Sequence, residues 1–187
     1  MNTTLATTVL RTDKLGAKSV AALLGGATLT ALGAQIQIPF YPVPFTLQTL
    51  AVLAVSLALG SRLAVAAQAT YLLAGAAGLP VFAGFSGGVA RLAGPTGGYL
   101  LGFLAAAWIV GSLADRGWDR TFGRALAACL LGSSAIYLLG ASVLSLYVGW
   151  SGAWMQGVVP FLVADALKAV AAATSLPLAW RLLGEQR

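Results

Sequence analysis

Residues 158–170 read VVPFLVADALKAV, an apolar run that contains one acidic and one basic residue. Asp165 and Lys168 are three positions apart, so a helix places them on the same face and within reach of each other. A charged residue near the centre of a bilayer costs on the order of 3 kcal/mol, and such residues usually face a protein interior or a wet cavity. The pattern therefore predicts a substrate or ion path at this pair. A structural ion pair that only holds helices together is the simpler alternative.

The composition indicates an integral membrane protein. Of the 187 residues, 59% are hydrophobic and only 9% are charged, and the mean hydropathy is +0.88. Soluble domains contain about 25% charged residues. The chain has no histidine and one cysteine, Cys129, which excludes His-based metal sites, Ser/His/Asp or Cys/His catalysis and an internal disulfide. We expect Cys129 to be a packing residue and no cofactor to be bound.

The apolar runs predict an all-α protein, a compact bundle of six transmembrane helices. Their expected limits are about 16–38, 45–60, 63–77, 99–113, 125–148 and 157–183. Gly60-Ser61-Arg62 is expected to form a tight turn between the second and third helices, and Pro177 to bend the last one. Residues 1–15 are expected to be a cytoplasmic tail, and residues 16–187 a single transmembrane domain.

Two connections stand out from the helical runs. Residues 39–44 contain three prolines and predict a short rigid link. The glycine-rich stretch 79–98 resists a helical assignment, and long loops in compact domains are more often functional than idle. Phe82 and Phe85 within it predict that the loop folds back onto the bundle as a lid.

The net charge of +6 is explained by membrane topology rather than by nucleic acid, because the basic residues are few and scattered. Six spans place nine of the eleven basic residues on the side of the termini, which the positive-inside rule makes cytoplasmic. These nine are Arg11, Lys14, Lys18, Arg62, Arg116, Arg120, Arg124, Arg181 and Arg187.

Three charges remain in the outward-facing half: Arg91, Asp165 and Lys168. Two cations and one anion leave a spare positive charge, which suits a ligand that carries a carboxylate. The loop phenylalanines and Tyr99 would cover an apolar ligand body. The sequence thus predicts an outward-facing site for a small organic acid.

Four segments and the charged pair carry a family resemblance. The segments are GAQIQIPF (33–40), VPFTLQTLAVL (43–53), GLPVFAGFSGG (78–88) and GPTGGYLLGF (94–103). Together they closely resemble the BioY family of biotin transporters, the substrate-binding S components of energy-coupling factor (ECF) transporters. The resemblance extends from about residue 22 to residue 172.

The resemblance implies that the chain binds biotin with high affinity from outside and carries it across the bacterial cytoplasmic membrane. Asp165 would accept hydrogen bonds from the ureido N–H groups, and Lys168, with or without Arg91, would hold the valerate carboxylate. These roles could be exchanged, or the pair could bind each other in the empty state. Gly84 offers no polar side chain to the ureido carbonyl, so Gln48, Tyr99 or a backbone N–H would donate to it.

The resemblance also implies partners. The small-residue pair Ala27-x-x-x-Ala31 would dock the transmembrane coupling subunit, although such stripes also occur in any packed membrane bundle. The chain has no nucleotide motif, so separate ATPase subunits would supply the energy, and some family members are thought to act without a dedicated module. The alternatives from the residues alone are a small membrane enzyme that uses Asp165 and Lys168, and a structural membrane subunit.

Overall fold

The computed structural model describes Thr4 and residues 16–182, with side chains up to residue 178. Apart from Thr4, the predicted N-terminal tail lies outside the described residues. Arg11, Lys14 and Arg187 lie outside them as well, as does the side chain of Arg181. The fold can therefore be compared with the sequence prediction from Gly16 onward.

The long elements of the structure are α-helices. In chain order they are α1 (Ala17–Gln35), α2 (Gln48–Ala76), α3 (Val89–Leu92), α4 (Gly97–Ala114), α5 (Phe122–Gly157) and α6 (Leu162–Leu182). Two short strands, β1 (Gln37–Ile38) and β2 (Phe45–Thr46), lie between α1 and α2, and single 3₁₀ turns at Trp118–Arg120 and Val159–Phe161 precede α5 and α6.

Two of the long helices are broken by glycine. Gly60 in α2 has φ 74° and ψ 175°, and Gly149 in α5 has φ 71° and ψ 168°. A helix cannot continue through these angles, and glycine adopts them because it has no Cβ. Gln48 at the start of α2 donates a hydrogen bond to Tyr71 near its end, so the two arms of α2 fold back alongside each other. The break at Gly60 coincides with the predicted turn, whereas α5 resumes after Gly149 and runs on to Gly157.

Four helical stretches of the described chain are long and apolar enough to cross a membrane: Ala17–Gln35, Gln48–Ala76, Gly97–Ala114 and Phe122–Leu178. The sequence predicted six crossings. The two numbers differ because the second stretch contains the Gly60 break, and the fourth contains both α5 and α6, joined by the 3₁₀ turn at Val159–Phe161.

The connections are more ordered than the sequence predicted. The proline-rich segment 39–44 is the loop of a β-hairpin, in which Gln37 lies opposite Thr46 and Ile38 opposite Phe45. The glycine-rich stretch contains the one-turn helix α3, and it folds back onto the bundle through Phe82. That side chain is 3% exposed, and its ring meets the ring of Tyr71 edge to face at 5.4 Å.

The helix after this loop packs closely against α5. Gly98, Gly102 and Ala106 lie along one face of α4, and all three are buried. A Cβ added to Gly102 would overlap the backbone of Ile136, and one added to Gly98 would overlap the carbonyl of Leu139. Small residues on this face therefore bring α4 and α5 into backbone contact, which fixes the wall of the site described below.

Candidate functional site

The charged pair lies at the beginning of α6. Lys168 Nζ is 2.7 Å from Asp165 Oδ1, and the two side chains are only 13% and 8% exposed. Asp165 is in the first turn of α6, where the helix dipole favours a negative charge. The spacing of three residues, which predicted that the side chains meet, brings them into direct contact in the structure.

The ammonium of Lys168 has three acceptors. Besides Asp165 Oδ1, it donates to the carbonyl oxygen of Thr46 at 2.7 Å and to Thr49 Oγ1 at 3.2 Å. An ammonium has three N–H donors, so all of them are in use. Such complete pairing is what a buried charge requires, because an unpaired charge in an apolar interior is very unfavourable.

The carboxylate of Asp165 is held by hydroxyl groups from two other helices. Tyr137 on α5 donates to Asp165 Oδ2 at 2.6 Å, and Thr49 on α2 donates to Oδ1 at 3.1 Å. An ionised carboxylate has about four lone-pair positions, and the structure fills three of them. The carboxylate is thus fixed in orientation and can still accept a hydrogen bond from a ligand.

A second polar chain starts from Thr46. Its hydroxyl donates to Gln48 Oε1 at 3.0 Å, and Gln48 Nε2 donates to the hydroxyl of Tyr71 at 2.6 Å. Since the carbonyl of Thr46 also accepts from Lys168, Thr46 links the charged pair to Gln48. The two networks form one polar wall across α6, β2 and α2.

This wall faces a cavity of about 710 Å³, measured with its open mouth. Of the seven predicted ligand-contacting residues, six line the cavity: Gln48, Phe82, Arg91, Tyr99, Asp165 and Lys168. The seventh, Phe85, is 72% exposed and does not line it. The structure therefore brings together the charges and polar groups that the sequence singled out, and it separates the two loop phenylalanines.

Apolar side chains form the opposite walls of the cavity. Phe161 stacks on Phe45 with ring centroids 4.1 Å apart, and Phe103 and Ile136 contribute further apolar surface. The hydroxyl of Tyr99 donates to the carbonyl of Gly157 at 2.9 Å, so its ring rather than its donor is available to a ligand. An apolar body with one polar end fits this arrangement.

Arg91 lies at the rim of the cavity. It belongs to α3, and its exposed side chain forms no hydrogen bond or ion pair with another described residue. It also lines an outer vestibule between the β-hairpin and the glycine-rich loop, of about 1130 Å³ with its open solvent. Arg91 is the lining residue whose charge is free for a ligand at the mouth.

The sequence prediction missed several lining residues. Thr46, Thr49, Tyr137 and Phe161 all belong to the site. A hydroxyl inside an apolar helix is the signal that could have identified Tyr137, and Phe161 lies four residues before Asp165 on the same helical stripe. The cavity also includes Ser86 and Thr96, which no periodicity points to because they lie in an irregular loop.

The predicted docking residues face the bundle. Ala27 is 8% exposed and belongs to the apolar core next to the site, and Ala31 is half-buried against the same core. The exposed face of α1 carries Gly25 instead, where an added Cβ would have no atom within 4 Å. The role of Ala27 and Ala31 in docking stays a prediction.

Comparison with known proteins identifies the family. The family model described as "BioY family" matches residues 3–185, almost the whole chain. The chain belongs to the BioY family. The "Probable biotin transporter BioY" of Pyrococcus horikoshii is 42% identical over 168 residues, which cover 90% of this chain and 98% of that protein. The "Biotin transporter BioY" of Thermotoga maritima is 47% identical over 146 residues, which cover 78% of this chain and 85% of the relative.

A solved structure has the same fold as this BioY-family chain. It is the crystal structure of the S-component for biotin from an ECF-type ABC transporter, with a TM-score of 0.80 and 24% sequence identity. The match covers 94% of this chain and 95% of the other. Both relatives are named as biotin transporters.

Proposed function

We propose that this BioY-family protein binds biotin and carries it across the membrane as the substrate-specific component of an ECF-type transporter. The main support for this proposal is the cavity. It is apolar on one side, contains the Asp165–Lys168 pair and has Arg91 at its mouth. Biotin has matching chemistry: a ureido group with two N–H donors, an apolar ring system and chain, and a terminal carboxylate.

The hydrogen bonds support one orientation of the ligand. Asp165 keeps an unused acceptor position deep in the cavity, which suits a ureido N–H. Lys168 has no unused donor, whereas Arg91 is exposed and unpaired among the described residues. We therefore assign the ureido end to Asp165 and the carboxylate to Arg91, with Lys168 holding the Asp165 carboxylate in place.

The ring system of biotin would lie between these two ends. Phe82, Tyr99 and Phe161 line the cavity there, and each is almost fully buried. The ureido carbonyl of biotin requires a hydrogen-bond donor. Gln48 Nε2 donates to Tyr71 and the Tyr99 hydroxyl donates to Gly157, so a ligand must compete for either group, or a backbone N–H supplies the bond.

The proposed topology has six crossings with both termini in the cytoplasm of a bacterial cell. The Gly60 break supports it, because the two arms of α2 lie side by side. Orientation follows from the basic residues, which the six-crossing arrangement collects at the side of the termini. The cavity then opens to the outside, as uptake requires.

The proposed partners are a transmembrane coupling subunit and the ATPase subunits of an ECF module. An apolar groove of about 520 Å³ with its open side runs between α1, α2 and α6, and Gly25 and Leu29 of α1 line it. Because Ala27 faces inward, we propose that the outer face of α1 carries most of the docking contact, next to the Ala27–Ala31 stripe.

Isothermal titration calorimetry of the detergent-purified chain with biotin tests the ligand. Saturable binding at micromolar or lower concentration is expected, and mass spectrometry of the purified protein should find retained biotin. Absence of binding, together with absence of retained biotin, would reject the proposed substrate.

Co-purification with a coupling subunit tests the docking face. Gly25→Leu should abolish co-purification and leave biotin binding intact, because its added side chain points into open space. Gly123→Leu is the matched control, since Gly123 is also helical and also open. If Ala31→Leu abolishes co-purification and Gly25→Leu does not, docking uses the predicted stripe and not the outer face.

A further inference from the structure

Gln35, the last residue of α1, ties this helix to the glycine-rich loop. Its Nε2 group donates to the carbonyl oxygens of Val81 and Phe82 at 3.3 and 3.1 Å, and its Oε1 accepts from the N–H of Phe85 at 2.9 Å. The same Nε2 lies 3.2 Å from the carbonyl oxygen of Ala31 one turn back in α1, so its two N–H groups are shared among three acceptors.

The residues that Gln35 holds form the tip of the loop, residues 81–85. This tip supplies Phe82 and Ala83 to the lining of the cavity. Phe85 has φ 52°, and among described residues other than glycine it is alone in having a positive φ. That conformation is unfavourable for a residue with a Cβ, so the bond from its N–H to Gln35 stabilises a backbone shape that the tip would otherwise leave.

Two other contacts hold the loop. Gly88 N–H donates to the carbonyl of Gly75 at 2.7 Å beyond the tip, and within the tip the Phe82 ring packs against Tyr71. Within the described chain, the side-chain hydrogen bonds that join residues 81–85 to another element all come from Gln35. The tip is therefore held by the packing of the Phe82 ring and by the hydrogen bonds of one amide group, and Phe85 is held by that amide.

We propose that Gln35 is a positioning residue for ligand retention: it holds residues 81–85 over the cavity and slows the escape of bound biotin. The inference rests on the proposed function for the identity of the ligand. Because Gln35 belongs to α1, a movement of that helix would also move the tip of the loop, residues 81–85.

The first test replaces Gln35 by Met, which keeps the length of the side chain and removes its hydrogen bonds. Loss of these bonds should speed biotin dissociation by about tenfold, with a much smaller change in the association rate. Radiolabelled biotin chased with unlabelled biotin gives the dissociation rate. Hydrogen exchange of the peptide that contains residues 79–88 should be faster in this variant without ligand. Gln156→Met is the matched control, because the side chain of Gln156 is exposed and forms no hydrogen bond with a described residue.

A second variant separates positioning from general damage to the fold. In Gln35→Glu, a carboxylate would face the carbonyls of Val81 and Phe82, so dissociation should be fast at pH 8. Protonation returns a donor to this position, and dissociation should slow toward the wild-type rate as the pH falls through the ordinary pKa of a glutamic acid, about 4.3, to pH 4. Wild type and Gln35→Met, measured at the same pH values, correct for titration of biotin itself.

The outcomes distinguish this inference from the proposed function. If wild-type protein binds no biotin, the proposed function is rejected. Hydrogen exchange of residues 79–88 still tests whether Gln35 stabilises the loop. If wild type binds biotin and Gln35→Met releases it at the wild-type rate, Gln35 does not retain the ligand. A Gln35→Glu variant whose dissociation rate does not fall with pH relative to wild type also overturns the inference. Should Gln35→Met fail to fold, the pH series on Gln35→Glu decides.

Discussion

The different roles proposed for Arg91 and Lys168 can be tested by measuring variants of each residue with biotin and with a ligand that lacks the carboxylate. Biotinamide keeps the ureido ring and replaces the carboxylate by a neutral amide. If Arg91 binds the carboxylate, Arg91→Met should weaken biotin and leave biotinamide nearly unchanged. If Lys168 holds Asp165 in place, Lys168→Met should weaken both ligands alike.

The structure sets the expected magnitudes. A hydrogen bond to a charged group contributes about 1.5–3 kcal/mol, and the exposure of Arg91 favours the lower end of that range because solvent screens the pair. Arg91→Met should therefore raise the Kd for biotin by about tenfold. Lys168→Met leaves the carboxylate of Asp165 buried without its cation, a change that typically costs about 3–5 kcal/mol. That cost lowers the stability of the unliganded protein, and the less firmly held carboxylate should weaken both ligands by a similar factor, about tenfold or more.

Calorimetry with the two ligands and the two variants measures the comparison in detergent at fixed salt concentration. The assignment is refuted if Arg91→Met weakens biotin and biotinamide equally. It is also refuted if Lys168→Met weakens biotin about tenfold more than biotinamide, because Lys168 would then be the group that holds the carboxylate. Thermal stability of each unliganded variant shows whether a loss of affinity reflects a loss of fold.

Two further predictions concern the contacts around the site and the break in α2. Tyr137→Phe removes the hydroxyl that donates to Asp165 at 2.6 Å. The less firmly held carboxylate should bind biotin about tenfold more weakly, which calorimetry would measure. Unchanged affinity would mean that Thr49 and Lys168 are enough to hold the carboxylate. Gly60→Ala places a Cβ on a backbone with φ 74° and against the Asp115 carboxylate, so the melting temperature should fall. Gly25→Ala, at an open helical position, should raise the melting temperature slightly. Equal effects of the two substitutions would contradict a strained turn at Gly60.

Much of the fold was predictable because the lengths of the apolar runs and the positions of the glycines between them can be read from the sequence. The break at Gly60 lies where the sequence predicted a turn, and the face of Gly98 and Gly102 packs against another helix. The hairpin around residues 39–44 was not predicted. Strands of two residues are too short to show an alternation of apolar and polar residues, and the three prolines between them indicate a loop rather than a strand pair. The predicted end of the fifth helix at about residue 148 coincides with the break at Gly149, whereas the helical segment from there to Gly157 was not predicted, because a glycine that breaks a helix does not reveal whether a helix resumes after it.

The candidate site was predictable where its residues are chemically unusual for a membrane helix. Asp165 and Lys168 stand out in any apolar run, and their spacing alone brings them together. Phe82 and Phe85 could not be distinguished, because an irregular loop gives no rule for which side chain turns inward. Ala27 and Gly25 were equally ambiguous, since an all-apolar helix does not mark its lipid-facing side.

The bonds of Lys168 have a consequence for how the protein is made. They join α6 to Thr46 and Thr49, which lie 122 and 119 residues earlier in the chain. Translation proceeds from the N-terminus, so a nascent chain whose last helix has not left the ribosome has neither of the buried charges of the site. A chain that ends before α6 thus lacks Asp165 and Lys168 together, and Thr46 and Thr49 of such a chain have no ammonium to bind.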